Sequence, residues 1–218
     1  MKEKKLILDA IIDCGIAAVV RAESADLAFK AVEAALAGGI NVIEITFTVP
    51  GVLDIIRELA RKTADGVILG AGTVLSPDNA ADAIKAGAQF IVSPSTNLET
   101  IAAARSRGAA VFPGALTPTE VITAWQAGGD IIKIFPANTM GPSYLRALHG
   151  PFPEIPFMPT GGVDLDNAAA WLEAGAVALG LGATLIDKKL MAQGNFAEIT
   201  NRSRKFREIV IEFRSRGN

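Results

Sequence analysis

One stretch shows how this 218-residue chain is built: Gly128-Gly129-Asp130-Ile131-Ile132-Lys133-Ile134-Phe135-Pro136. Its apolar residues, bounded by glycines and a proline, predict a short β-strand that is covered on both faces. An ammonium is costly to bury there, and burial favours the neutral, nucleophilic form of a lysine. Lys133 is therefore either a structural lysine that reaches the strand end or pairs with a carboxylate, or a catalytic amine.

The same unit recurs along the chain: an alanine-rich helical segment ends at glycine, and an apolar strand follows. The strands of these units are predicted at residues 42–46, 90–92, 110–112, 131–135 and 177–180, and further strands are predicted at 16–20, 67–69 and 157–158. Helices are predicted to begin after Ser24, Ser76, Thr117 and Asp164, and a long helix follows Gly194.

Eight strands that alternate with helices over about 200 residues predict an α/β fold of the (β/α)₈ TIM-barrel type. The first residues form an extra, amphipathic N-terminal helix in this prediction. An open doubly wound sheet is the alternative, although such sheets usually have fewer strands and no GxGxxG motif follows the first strand here. No linker or change of composition divides residues 1–218, which predicts a single domain.

Composition argues against several classes of function. Half of the residues are hydrophobic, 20 % are charged and the formal net charge is -2, so nucleic-acid binding is not expected. The one cysteine, Cys14, fits a reducing compartment, and no long uninterrupted apolar run predicts a membrane span, so we expect a cytoplasmic protein. His149 is the only histidine, and no ligand spacing predicts a metal site, a zinc-dependent aldol mechanism or a Ser-His-Asp hydrolase.

The functional residues of barrels lie at the carboxyl ends of strands and in the loops that follow. Side chains alternate along a strand, so Glu44 shares a face with Val42 and Thr46, and we expect this face to point into the barrel. Lys133 can point to the same interior. The two residues are then either a structural ion pair or a nucleophile with a proton shuttle.

Two glycine-rich loops follow the last two predicted strands, at Gly161-Gly162 and Gly180-Leu181-Gly182. Barrels often bind phosphate at this place, on backbone amides and a helix N-terminus, and glycine lets the backbone approach an anion closely. The helix near Asp164 would supply the N-terminus.

Taken in order and spacing, the motifs of nearly the whole chain resemble those of the bacterial 2-keto-3-deoxy-6-phosphogluconate (KDPG) and 4-hydroxy-2-oxoglutarate (KHG) aldolase family. The motifs are Val20-Arg21-Ala22, Ile43-Glu44-Ile45-Thr46-Phe47-Thr48, Gly70-Ala71-Gly72-Thr73-Val74, Ile91-Val92-Ser93-Pro94, Phe112-Pro113-Gly114, Lys133-Ile134-Phe135-Pro136, Gly150-Pro151-Phe152-Pro153 and Pro159-Thr160-Gly161-Gly162-Val163.

The resemblance implies a class I aldolase that needs no metal or cofactor and is usually a homotrimer of (β/α)₈ barrels. It implies that Lys133 is the Schiff-base lysine and Glu44 the general acid/base. Substrate binding is implied for Arg21, Thr48, Gly72, Thr73, Pro94, Phe135, Thr160, Gly161, Gly162, Gly180, Gly182, Ala183 and Thr184.

Two positions depart from the common family pattern. Thr48 stands where many members have an arginine that binds the keto-acid carboxylate, so Arg21 on the neighbouring strand is the expected substitute. Ala183 stands where members often have serine, which removes one hydroxyl from the expected phosphate site and leaves the backbone amides and Thr184.

The resemblance implies reversible cleavage of KDPG to pyruvate and glyceraldehyde 3-phosphate, and of 4-hydroxy-2-oxoglutarate to pyruvate and glyoxylate. Two other functions stay open. One is a phosphate-binding barrel isomerase or epimerase in which Lys133 acts only through its charge. The other is a non-catalytic ligand-binding barrel in which Lys133 and Glu44 are a structural pair.

Overall fold

The computed structural model describes residues 2–62 and 66–216, in which helices and strands alternate as predicted. The helices are α1 (Lys2–Cys14), α2 (Ala25–Ala37), α3 (Val52–Lys62), α4 (Pro77–Ala86), α5 (Leu98–Ser106), α6 (Pro118–Gln126), α7 (Pro142–His149), α8 (Ala168–Glu173), α9 (Lys188–Ala192) and α10 (Phe196–Ser215), with a 3₁₀ turn at Ala137–Thr139. The strands are β1 (Ile16–Val20), β2 (Val42–Thr46), β3 (Ile68–Gly72), β4 (Phe90–Val92), β5 (Ala110–Phe112), β6 (Gly114–Ala115), β7 (Ile132–Ile134), β8 (Phe157–Pro159) and β9 (Leu179–Leu181).

The strands form a curled parallel arrangement. One sheet has the order β5-β4-β3-β2-β1-β9 and the other has the order β6-β7-β8. Isolated parallel bridges, Phe157 to Ala176 and Thr160 to Gly180, connect the β8 side to the β9 side. All strand directions agree, so the carboxyl ends of the strands lie at one end of the molecule, where the predicted site residues are found.

The predicted strand at residues 110–112 is observed as β5, and the structure adds a short strand, β6, that was not predicted. Pro113 separates β5 from β6, because proline has no N–H to donate to a sheet ladder. β5 pairs with β4, and β6 pairs with β7. The chain therefore changes its pairing partner within a few residues, and this change brings β7 and its lysine beside the rest of the sheet.

Side-chain caps explain where several helices begin. Ser24 accepts a hydrogen bond from the amide of Leu27 at 3.3 Å, and Ser76 accepts one from Asn79 at 3.2 Å. Thr117 and Glu120 form a reciprocal capping box. These three predicted helix starts are confirmed.

The N-terminal helix α1 is present and contacts β1, β3 and β5. Its last turn has no basic residue, yet its final carbonyls accept hydrogen bonds from two arginines of α10. Arg207 donates to the carbonyl of Cys14, and Arg214 donates to those of Asp13 and Ile12. Positive charge at a helix C-terminus offsets the helix dipole, so α10 stabilises the end of α1.

The long helix α10 packs against α2 and α8. Ile199, Phe206 and Val210 form its buried stripe, as the periodicity of the sequence predicts. Within residues 2–62 and 66–216, no helix is both long and apolar enough to cross a membrane.

Candidate active site

Lys133 lies on β7 and is only 2 % exposed. Its backbone amide donates to the carbonyl of Pro113 at 3.0 Å, which fixes the residue in the strand. Burial lowers the pKa of Lys133 below its usual value; the carboxylate of Glu44 opposes this shift, and the charge of Arg21 adds to it. The Nζ atom lies 5.2 Å from the centroid of the Phe135 ring. The environment therefore favours a neutral amine at the strand.

Glu44 lies on β2 and is fully buried. Neither of its carboxylate oxygens has a hydrogen-bond partner in the described part of the chain. The side chain lies over the neighbouring strand at Gly72, where a Cβ atom would be 1.8 Å from Glu44 Oε1. A buried carboxylate is costly when it is unpaired. Glu44 and Lys133 interact through their charges without a direct hydrogen bond, which is unlike a closed structural ion pair.

Arg21 lies at a cleft of about 500 Å³ beside the ends of β1 and β2. The cleft is lined by Arg21, Ala22, Glu23, Thr48, Pro50 and Lys188. Arg21 has neither a hydrogen bond nor an ion pair among residues 2–62 and 66–216, so its guanidinium is free to bind an anion. Its effect on the pKa of Lys133 places the two cations within electrostatic reach of each other.

Thr48 lines this cleft, but its hydroxyl proton is already donated to another hydroxyl. The Thr46 hydroxyl donates to the carbonyl of Val20 at 3.1 Å, and the Thr48 hydroxyl lies 2.6 Å from that of Thr46. Thr48 therefore donates to Thr46 and presents an acceptor to the cleft. An acceptor is a poor partner for a carboxylate, which leaves Arg21 as the better carboxylate-binding residue.

Two cleft residues, Glu23 and Lys188, did not emerge from the sequence. Glu23 follows β1 by several residues, and Lys188 is the first residue of α9. Their side chains are mostly exposed and approach each other at 3.9 Å, as a loose ion pair. The only signal in the sequence was their position in the segments that follow β1 and β9, which many other residues share.

Two loops at the ends of β8 and β9 present free backbone amides. Gly161 and Gly162 have positive φ values of 93° and 74°, which glycine adopts without strain. The Thr184 hydroxyl donates to the carbonyl of Val163 at 2.7 Å and joins the two loops. The amides of Gly162, Ala183 and Thr184 make no hydrogen bond within the described part of the protein, whereas the Gly161 amide faces the carbonyl of Gly180 across the bridge between Thr160 and Gly180. Such amides, on adjoining loops, can bind an anion.

The β9 loop is held in place from within and by α10. The carbonyl of Gly182 accepts hydrogen bonds from Leu185 at 3.0 Å and Ile186 at 2.8 Å. Arg202 of α10 donates to the carbonyl of Thr184 at 3.1 Å. Nothing lies within 4 Å of the position that a Cβ of Gly182 would take, so the loop borders open space.

The predicted cap at Asp164 is present, one turn before α8, and the Asp164 carbonyl accepts a hydrogen bond from the amide of Ala168 at 2.9 Å. Asp164 Oδ1 accepts hydrogen bonds from the amides of Asp166 and Asn167, both at 3.0 Å, and this closes a turn. α8 begins only at Ala168. The turn that Asp164 closes leads directly into α8, and its side-chain bonds are those that an N-cap residue makes. These two amides are occupied, and the free amides of the loops are the anion donors that remain.

Thr160 directly follows β8, beside β7, and is buried. Its amide donates to the carbonyl of Ile134 at 2.9 Å, while its hydroxyl has no partner in the described residues. The hydroxyl lies against Gly180 of β9, where a Cβ atom would be 2.1 Å from Thr160 Oγ1. Thr160 therefore presents an uncommitted hydroxyl at the lysine-bearing side of the sheet.

Thr73 and Pro94 lie at the ends of the next strands. Thr73 has φ +55°, an uncommon value for a β-branched residue that often marks a functional position. The backbone of Pro94 lies close to Gly114 of β6. A Cβ on Gly114 would be only 2.3 Å from the Pro94 carbonyl carbon. Three predicted site residues, Glu44, Lys133 and Gly180, therefore lie in the middle of their strands, and the others lie at strand ends or in the segments after them.

A sequence model described as "Aldolase: KDPG and KHG aldolase" matches residues 7–202. The chain belongs to the KDPG and KHG aldolase family. It is 33 % identical over 205 residues to the 2-dehydro-3-deoxy-phosphogluconate aldolase of Treponema pallidum, covering 94 % of this chain and 97 % of that protein. It is 31 % identical over 207 residues to the KHG/KDPG aldolase of Escherichia coli strain K12, covering 94 % and 97 %.

Solved structures agree with this assignment. The KDPG aldolase of Legionella pneumophila, captured with pyruvate as a covalent carbinolamine intermediate, has a TM-score of 0.80 and 28 % identity, covering 89 % of this chain and 95 % of that one. A cube-shaped cage designed by fusing symmetric oligomeric domains has a TM-score of 0.85 and 30 % identity, covering 93 % of this chain and 74 % of that one.

In this member of the KDPG and KHG aldolase family, His149 lies away from the strand ends that bear the lysine. Its ring lies 3.2 Å from the carbonyl of Gly175 and packs edge-on against Phe157, with centroids 5.0 Å apart. Across residues 2–62 and 66–216, no group of three or more His, Cys, Asp or Glu side chains could hold a metal ion.

Proposed function

We propose that this chain is a class I aldolase that cleaves KDPG to pyruvate and glyceraldehyde 3-phosphate through a Schiff base on Lys133. The observation that carries the proposal is a buried lysine with a lowered pKa, beside a buried carboxylate that has no hydrogen-bond partner. Membership of the KDPG and KHG aldolase family supports the reaction class. The carbinolamine captured in the Legionella relative supports the covalent route.

The reaction begins when neutral Lys133 attacks the C2 ketone of the substrate and forms a carbinolamine. Loss of water gives an iminium, which accepts the electron pair of the C3–C4 bond as that bond breaks. Glu44, directly or through a water molecule, takes the proton of the C4 hydroxyl, and the aldehyde leaves. Glu44 then returns a proton to C3 of the enamine, and water hydrolyses the iminium to release pyruvate and the free amine.

Substrate binding follows from the free donors around Lys133. Arg21 binds the keto-acid carboxylate, because it is unpaired and its charge already reaches Lys133. The amides of Gly162, Ala183 and Thr184 bind the phosphate, in the absence of the serine hydroxyl found in other members, and Gly161 supplies the turn that directs the Gly162 amide. Thr73, Pro94, Phe135 and Thr160 line the pyruvate pocket.

A second substrate is 4-hydroxy-2-oxoglutarate, which gives pyruvate and glyoxylate. The name of the Escherichia coli relative includes this activity, and its match spans nearly the whole chain. The second product has a carboxylate where KDPG carries its phosphate end, so it can use the same amides with fewer charge-assisted hydrogen bonds. We expect this substrate to be cleaved less efficiently than KDPG.

The proposal extends to the closure of the barrel, the number of domains, the oligomeric state and the location of the protein. β5 and β6 are one strand interrupted at Pro113, and the two bridges join β8 to the β9 side, so the sheets can close as an eight-stranded (β/α)₈ barrel. Residues 1–218 form a single domain, and the active protein is a homotrimer, in line with the symmetric oligomeric domains of the designed cage. The single, buried Cys14 suits a cytoplasmic location.

Turnover of KDPG tests the proposed reaction. Pyruvate release is followed with a lactate dehydrogenase coupled assay for the native chain and for Lys133→Met, with Lys85→Met as a matched control on the exposed face of α4. We expect turnover in the native chain and the control, and none in Lys133→Met. An isomerase or epimerase would convert a sugar phosphate without pyruvate, and a binding protein would release none from either variant.

A further inference from the structure

Two glycines lie beneath the two uncommitted polar groups of the site. A Cβ on Gly72 would be 1.8 Å from Glu44 Oε1, 2.6 Å from Cδ and 2.7 Å from Cγ. A Cβ on Gly180 would be 2.1 Å from Thr160 Oγ1 and 3.0 Å from Thr160 Cβ. Carbon atoms do not approach so closely, so any other residue at these positions would displace the polar side chain.

Backbone conformation does not explain these glycines. Neither Gly72 nor Gly180 has a positive φ, so an L-residue could adopt the local backbone. Glycine inside a strand is unfavourable, because it loses more conformational freedom on folding and packs no side chain. What explains glycine at each position is that the polar side chain of Glu44 or Thr160 occupies the space that a Cβ would take.

We propose that Gly72 and Gly180 are positioning residues of the aldol reaction: each keeps open the space in which the Glu44 carboxylate or the Thr160 hydroxyl faces the site. The inference rests on the proposed function and changes the expected role of both glycines from substrate contact to side-chain placement. Gly72 acts on proton transfer through Glu44. Gly180 acts on pyruvate binding through Thr160.

The two glycines should have different kinetic effects. Attack of Lys133 on pyruvate does not need Glu44, whereas exchange of the pyruvate C3 protons in D₂O needs a base to remove and return a proton. Proton transfer requires hydrogen-bond distances, so a carboxylate displaced by a methyl group loses this step. A displaced Thr160 hydroxyl weakens pyruvate binding and leaves proton transfer at saturation in place.

The test measures C3 exchange and borohydride trapping of pyruvate side by side. We expect Gly72→Ala to slow exchange by roughly 10²-fold at saturating pyruvate while trapping on Lys133 persists. We expect Gly180→Ala to raise the pyruvate concentration for half-maximal trapping about tenfold, with little change in exchange at saturation. Normal exchange in a folded Gly72→Ala variant, or unchanged pyruvate affinity in a folded Gly180→Ala variant, would overturn the role of that glycine.

Gly70→Ala is the matched control for general damage to β3. Gly70 lies on the same face of the strand and is the registered partner of Glu44 on β2, but the three atoms nearest to its Cβ would all belong to the Phe90 ring, the closest at 2.3 Å. We expect this variant to lower the thermal midpoint without a selective loss of exchange relative to trapping. A selective loss in Gly70→Ala as large as that in Gly72→Ala would remove the specific link between Gly72 and Glu44.

A double-mutant cycle keeps the idea testable if Gly72→Ala folds poorly. Glu44→Ala removes the three atoms nearest to the added methyl group, so Gly72→Ala should lower the thermal midpoint much more in the native background than in the Glu44→Ala background. Equal losses in both backgrounds would contradict the contact. If native protein is not trapped on Lys133 at all, the proposed function fails, while this stability cycle still reports on Gly72.

Discussion

A lysine enclosed by apolar strands loses much of its preference for the charged form, and Lys133 is such a lysine. Burial is the largest cause of its lowered pKa, and the charges of Glu44 and Arg21 act on it in opposite directions. The pKa of the nucleophile Lys133 therefore depends on both the proposed proton carrier, Glu44, and the proposed carboxylate-binding cation, Arg21.

The effects of Glu44 and Arg21 on the pKa of Lys133 predict how reductive trapping of pyruvate on Lys133 depends on pH. Only the neutral amine attacks pyruvate, so the trapping rate falls as pH drops through the lowered pKa of Lys133. Arg21→Gln removes a charge that lowers this pKa, and the acid limb should move to higher pH. Glu44→Gln removes a charge that raises it, and the limb should move to lower pH. Rates of cyanoborohydride trapping across pH measure both shifts, and Lys85→Gln on α4 should leave the limb in place. Shifts in the reverse directions would contradict the electrostatic assignment.

A second prediction concerns the proton transfer itself. Glu44→Gln retains the shape of the side chain but cannot accept a proton, so turnover of KDPG should fall by about 10²-fold or more. Trapping of pyruvate on Lys133 should continue, because the amine remains neutral. Steady-state turnover and intact mass after trapping make the comparison. Unchanged turnover would remove Glu44 from the mechanism.

A third prediction separates Arg21 from Thr48. Arg21→Gln should raise KM for KDPG by roughly 10- to 100-fold, since a charge-assisted hydrogen bond to the carboxylate is lost. Thr48→Val should change KM less than about threefold, because the Thr48 hydroxyl donates to Thr46 and not to substrate. A larger effect of Thr48→Val than of Arg21→Gln would reverse the assignment of the carboxylate site.

Sequence reasoning succeeded for residues whose position follows from strand alternation. Glu44 and Lys133 were expected to meet because each lies on a predicted strand, and the structure brings their charges within reach of each other. It missed Glu23 and Lys188, whose approach depends on how the segment after β1 and the start of α9 come together at the cleft. It also could not show that the Thr48 hydroxyl is committed to Thr46.

The elements were predicted well where local chemistry sets their limits. Ser24, Ser76 and Thr117 cap helices by bonding to amides three residues later, a purely local arrangement. Two details could not be predicted. Regular helix α8 begins one turn after the Asp164 cap, and a second short strand, β6, follows Pro113 because the choice of sheet partner is made by tertiary packing.

The link between α1 and α10 yields a prediction at the level of elements. Arg214→Leu leaves the carbonyls of Asp13 and Ile12 without their arginine donor and removes positive charge from the C-terminus of α1. We expect a loss of about 1 kcal/mol in the free energy of unfolding, measured by urea titration. Arg204→Leu on the exposed face of the same helix is the control and should cost far less. Equal losses would show that the interaction with α1 is not the cause.

At the scale of the whole molecule, the parallel arrangement explains why residues far apart in sequence form one site. Glu44, Lys133 and the loops after β8 and β9 belong to different βα units, and each lies on or after the carboxyl half of its strand. The family assignment is independent of this geometry and agrees with it. Together they make a covalent amine mechanism the central claim.

That claim is tested most directly by borohydride reduction in the presence of pyruvate, followed by intact mass and peptide mapping. The account predicts a single stable pyruvate adduct on the peptide that contains Lys133, absent without pyruvate and absent in Lys133→Met. No adduct, or an adduct on another lysine, would contradict it.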